Sequence, residues 1–115
     1  ALRASWRRQF GAPALPFLIV SLAGFGKPPS VPVDSGWAAL IDQQRRAAAP
    51  DPRSALVVAT DLGERADIHP PNKQEVGRRL ALAARSLAYG DRGGELSPLP
   101  LRAVASDGAV RVTFT

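Results

Sequence analysis

The chain has 115 residues, 45% apolar and 22% charged, with 11 Pro, 10 Gly and a formal net charge of +5. That is the size and apolar share of one small globular domain, which excludes wholesale disorder and a collagen-like repeat. No apolar run approaches the ~20 residues of a membrane helix, and without Cys there is no disulfide framework, thiolate zinc site or cysteine nucleophile.

The positive charge rests on 13 Arg and 2 Lys. The arginines come in scattered pairs, Arg7-Arg8, Arg45-Arg46 and Arg78-Arg79, each within an expected helix. These read as solvated helix faces. No basic stripe with interleaved aromatics is present, so no nucleic-acid partner is expected. Met is absent, even at position 1, and the chain opens inside an expected helix. We therefore expect the C-terminal part of a longer protein.

Residues 1–10 read as the tail of an amphipathic helix, because Leu2, Trp6 and Phe10 recur on one face. Gly11 stands where a left-handed cap is needed, and Pro13 prevents continuation. Residues 15–22 (LPFLIVSL) are continuously apolar, which predicts a central parallel strand buried on both faces, with Pro16 at its start. Residues 23–33 (AGFGKPPSVPV) are too rich in Gly and Pro for a regular element. They form a long loop at the C-terminal end of a strand, the edge where open α/β sheets bind ligands.

Asp34 or Ser35 can cap a second helix running to about Ala49, with Trp37, Leu40, Ile41 and Gln44 on one face. Residues 54–60 (SALVVAT) read as a second buried strand, completing a βαβ unit. Residues 61–71 form the next loop, and residues 72–89 the clearest helix, about 27 Å long. Its stripe is Val76, Leu80, Ala83, Ala84 and Leu87. Gly77 within it is expected to serve close approach to the sheet. Gly90 stops the helix. Asp107-Gly108 between alternating runs predicts a type I′ hairpin over residues 101–115. The expected organisation is therefore α/β over residues 1–90 and a β-hairpin appendage over residues 91–115. Trp6 and Trp37 are read as helix-to-sheet packing.

Chemistry concentrates in residues 61–73 (DLGERADIHPPNK), which hold the single His. In an extended segment, Asp67 and His69 project to the same side. The carboxylate can then hydrogen-bond one imidazole nitrogen and leave the other as a base, the orienter–base half of a nucleophilic machine. Pro70 and Pro71 would stiffen the loop. A turn histidine before proline fits the same spacing. No recognised metal-ligand spacing occurs, and no cofactor is implied. Phe25 and Lys27, on the loop after the first strand, are candidate substrate-binding residues. Ser21 lacks a Gly-x-Ser setting and Ser35 reads as a helix cap, so neither is a nucleophile.

Residues 61–84 (DLGERADIHPPNKQEVGRRLALAA) resemble the last block of sialate O-acetylesterase-type proteins of the SGNH hydrolase superfamily. LPFLIVSLAGFG and SGWAALIDQQRRA, upstream in the right order, resemble the same family. The resemblance implies a flavodoxin-like three-layer α/β/α esterase. In it a Ser attacks an acetyl ester on a sugar, a His activates that Ser and an Asp orients the His. Carried over by position, His69 is that His and Asp67 the nearby Asp, with Asp61, Glu64 or a backbone carbonyl as rivals for the orienting role. The Ser block and the Gly and Asn oxyanion blocks are absent from these residues. The implied partners are an acetylated sugar and the N-terminal half of the domain, and isolated residues 1–115 should be inactive. The resemblance also points to bacterial proteins that are often exported. The alternative is a non-catalytic carbohydrate-binding or interaction module that retains the scaffold.

Overall fold

Two short parallel strands organise the α/β part of the computed structural model, which describes residues 2–91, 93 and 96–115. The expected helix start at Ala1, and Arg92, Gly94 and Glu95 of the appendage, lie outside the described residues. The elements run α1 (Leu2–Gln9), β1 (Phe17–Val20), α2 (Gly36–Ala48), β2 (Ser54–Val57), a 3-10 turn (Thr60–Leu62), α3 (Lys73–Leu87), β3 (Pro100–Ser106) and β4 (Ala109–Phe114).

β1 pairs in parallel with β2, Phe17 opposite Ser54 and Val20 opposite Val57. Ala55, Leu56 and Val57 are all buried. Successive strand residues point to opposite sides, so both faces of β2 are covered. The rest of the core is small: Ala23, Ala48, Ala59 and Ala83. Alanines from α2 and α3 let both helices pack closely on β2. The expected strand over residues 15–22 is shorter and only half-buried. β1 has one strand neighbour among the described residues, and Leu15 turns back to donate its N–H to the Ala12 carbonyl at 3.0 Å.

α1 ends as its sequence predicts, with Gly11 at φ 59°. Ser35, rather than Asp34, caps α2 by accepting from Ala38 N–H at 3.3 Å. The inward face of α2 is Trp37, Ile41, Gln44 and Ala48, and Leu40 is exposed. Asn72 caps α3 by accepting from Glu75 N–H at 3.1 Å. The α3 stripe faces inward as expected, with Ala83 fully buried. Gly77 does not serve close approach. It is exposed, and an added Cβ would meet open space. The helix contacts the sheet through its apolar stripe instead.

Arg7, and Arg53 outside the arginine pairs, are less passive than solvated helix faces. Arg7 holds Asp51 at 2.9 Å and donates twice to the Leu15 carbonyl, tying α1 to the starts of both strands. Arg53 reaches the carbonyls of Ala14 and Leu87. Trp6 packs on Phe17 of β1, ring centroids 6.0 Å apart, as expected of helix-to-sheet packing. Trp37 instead packs on a loop, against Phe25 at 5.8 Å, and donates its Nε1–H to the Ala23 carbonyl at 2.8 Å.

β3 and β4 form an antiparallel hairpin, Ser106 opposite Ala109. Asp107 (φ 51°) and Gly108 (φ 73°) both adopt the positive φ of a type I′ turn. Every residue of the hairpin is exposed.

Candidate active site at the strand ends

The loops that leave the C-terminal ends of β1 and β2 lie side by side. Gly24 N–H donates to the Thr60 carbonyl at 3.1 Å, and Gly26 N–H to the Arg65 carbonyl at 3.1 Å. Phe25 and Glu64 form an isolated parallel bridge between them. The backbones approach so closely at Gly24 and Gly63 that a Cβ on Gly63 would overlap the Gly24 main chain. Absence of a side chain is what permits this contact. Below it, Ser21 is 4% exposed and its hydroxyl accepts from Ala59 N–H at 2.8 Å. Ser21 is thus a cross-strand tie, and Ser35 a cap.

The loop after β2 carries His69 and Asp67. The structure brings them together, although not through an extended segment: residues 68 and 69 are bends. Asp67 Oδ1 accepts from the His69 backbone N–H at 2.7 Å, a local turn that asparagine and aspartate favour. This contact, rather than strand alternation, sets both side chains on one side. His69 Nδ1 lies 3.5 Å from Asp67 Oδ1, with the imidazole 86% exposed and the carboxylate 54%. Nδ1 therefore faces the carboxylate and Nε2 is left open to solvent.

The rival carboxylates are placed differently. Asp61 is held at both oxygens by Arg79, at 2.7 and 2.6 Å, and this hydrogen-bonded guanidinium keeps its pKa below the ordinary carboxylate value. Glu64 is exposed, with its main chain in the bridge to Phe25.

Phe25 and Lys27 line a cleft of about 380 Å³ together with Trp37, Glu64 and Arg65. The cleft sits between the two loops, so it opens at the same sheet edge as the loop bearing His69. Arg65 and Gly63 carry no functional mark in the sequence, and Glu64 stands out there only as a rival for the orienting role. A lone glycine near the start of the second loop is the available signal for the close approach. A second cleft of about 430 Å³ is lined by Val58, Asp61, Arg79, Leu82 and Ser97, among others. Ser97 Oγ accepts from Val58 N–H at 3.0 Å, and no sequence pattern marked it. Among the described residues, no group of three or more His, Asp or Glu side chains could hold a metal ion. No helix there is long and apolar enough to cross a membrane.

Comparison with known proteins adds to this geometry. No protein-family model matches the chain. A crystal structure of a carbohydrate acetylesterase from Xanthomonas citri superposes with a TM-score of 0.78 at 38% identity, covering 96% of this chain and 26% of that one. The chain therefore has an α/β fold, similar to the matching part of that structure. The sialate O-acetylesterases of mouse, Sumatran orangutan (Pongo abelii) and human are each 39% identical over 70 residues, covering 55% of this chain. The chain is sialate O-acetylesterase-like, as the pattern of residues 61–84 predicts. The match spans only 13% of the length of those curated relatives.

Proposed function

We propose that the chain is the C-terminal part of an SGNH-type carbohydrate O-acetylesterase, in which His69 acts as the general base and Asp67 orients it. The observation that carries this reading is the placement of the His69 ring. It stands exposed on the loop leaving the C-terminal end of β2, with Nδ1 turned to Asp67. The likeness to carbohydrate and sialate O-acetylesterases supports the reaction class. Residues 1–90 would belong to a three-layer α/β/α domain, and residues 91–115 to a hairpin appendage.

In this mechanism His69 Nε2 takes the proton of a serine hydroxyl supplied by polypeptide beyond these residues. The serine oxygen attacks the acetyl carbonyl carbon. The tetrahedral intermediate collapses as the C–O bond to the sugar breaks, and the imidazolium returns the proton to the departing sugar oxygen. A water molecule, deprotonated by the same imidazole, then hydrolyses the acetyl-enzyme to acetate and free serine. Asp67 stabilises the imidazolium that forms in both steps. Phe25 and Lys27 line the cleft that would receive the sugar.

The test is acetate release from O-acetylated sialic acid and O-acetylated xylo-oligosaccharides by the full-length protein, before and after treatment with a serine-directed phosphonate. Acetate release that the phosphonate abolishes is expected. Release that survives stoichiometric serine modification, or no release from any acetylated sugar, contradicts the proposal.

A further inference from the structure

We propose that Arg79 is a positioning residue for the catalytic loop, one guanidinium joining Val58 and Asp61 at the start of that loop to Glu75 on α3. The inference rests on the reading of His69 as the base. Arg79 donates from Nη1 to the Val58 carbonyl at 2.9 Å and to Asp61 Oδ1 at 2.7 Å. It donates from Nη2 to Asp61 Oδ2 at 2.6 Å and from Nε to Glu75 Oε1 at 2.8 Å. Glu75 is itself held by Arg78.

Three consequences follow from this geometry. A planar fork that meets both oxygens of a carboxylate fixes direction as well as distance, which an ammonium cannot do. The Arg79 side chain is 23% exposed and Asp61 57%, so solvent and salt weaken the half-buried contacts with Val58 and Glu75 less than the one with Asp61. Finally, α3 holds the His69 loop at both ends: Arg79 grips Val58 and Asp61 where it begins, and the Asn72 cap fixes where it finishes. His69 lies between these anchors. Packing of α3 on β2 runs through Ala83 and the apolar stripe, so the helix has its own reason to stay in place. Arg79 thus acts through His69 by limiting how far the loop can wander, not by touching substrate.

The experiment compares Arg79→Ala, Arg79→Lys, Asp61→Asn, Arg79→Ala/Asp61→Asn and His69→Ala in the full-length protein, with an aryl acetate as substrate and a thermal melt of each. Arg79→Ala should lower kcat about 100-fold, the scale of loss that follows small misplacement of a reacting group, with KM changed by no more than about twofold. Arg79→Lys should restore only part of that loss. Asp61→Asn, a change at an exposed side chain, should lower kcat about tenfold, and the double variant should be no slower than Arg79→Ala because both remove one shared contact. A folded Arg79→Ala with wild-type kcat overturns the proposal, as does a KM effect without a kcat effect. If Arg79→Ala does not fold, Asp61→Asn decides: wild-type kcat overturns the proposal and a lowered kcat upholds it. His69→Ala separates the two claims. Wild-type turnover in that variant removes the reading of His69, whereas an inactive His69→Ala beside an unaffected Arg79→Ala removes the positioning claim alone.

Discussion

At the residue scale, the candidate site depends on a hydrogen bond that is not the one the spacing suggests. Asp67 and His69 are brought together by the main chain: the carboxylate accepts the His69 backbone N–H, and the ring follows. Replacing Asp67 with Asn keeps an acceptor for that N–H but removes the charge facing the ring. We expect Asp67→Asn in the full-length protein to keep the melting temperature and to lower kcat. A fall in melting temperature with kcat intact would show that Asp67 serves the turn alone. The core is similarly concentrated. Val57 is 1% exposed, the most buried large side chain among the described residues. Val57→Ala should destabilise the fold by about 2 kcal/mol, the loss of two buried methyl-sized groups plus the cavity left behind; urea titration measures it.

At the scale of elements, two neighbouring loops make the candidate site and two glycines show opposite logic. Gly63 sits against the Gly24 backbone with no room for a side chain. Gly63→Ala should force the loops apart, lower the melting temperature and open the Phe25–Glu64 bridge. An unchanged melt and wild-type activity would contradict the close approach. Gly77, on the exposed side of α3, has open space where a Cβ would go. Gly77→Ala should stabilise the fold by about 1 kcal/mol, the ordinary helix preference for alanine. The patterns of α2 and α3 were readable because periodicity, Ser35, Asn72 and Gly90 all mark the same boundaries. The hairpin was readable because Asp107-Gly108 suits a turn with two positive φ values. The β1 burial was not, because an apolar run reports the tendency to be covered but not which neighbours cover it. Arg79 reads as surface charge in the sequence for a related reason: its partners, Val58 and Asp61, lie 21 and 18 residues away. Helical spacing carries no record of such a contact.

At the scale of the whole molecule, the radius of gyration is 16.2 Å, against about 13 Å for a compact chain of this length. Every residue of the hairpin is exposed. Ending the chain at Leu99 should leave the melting temperature unchanged while keeping Ser97 on Val58; a large fall would show that β3 and β4 support the α/β part. Acidic pH should act through the arginine-held carboxylates. The Ser54 hydroxyl, with Arg53 N–H and Arg7 behind it, lowers Asp51 to about 2. Arg78 and then Arg79 lower Glu75 to about 2. Groups depressed in the folded state add stability that is complete above their unfolded pKa and is lost as pH falls toward the folded value. Melting temperature should therefore be level above about pH 5 and decline toward pH 2. A flat profile through that window would remove these pairs as sources of stability.

The proposed chemistry rests on the His69 imidazole, on the loop that follows β2, and the most direct measurement is kcat of the full-length His69→Ala variant on an aryl acetate, with folding verified by its melt. The proposed mechanism predicts a loss of about 10⁴-fold or more, as for removal of the base from a serine machine. A folded variant with wild-type kcat would contradict it.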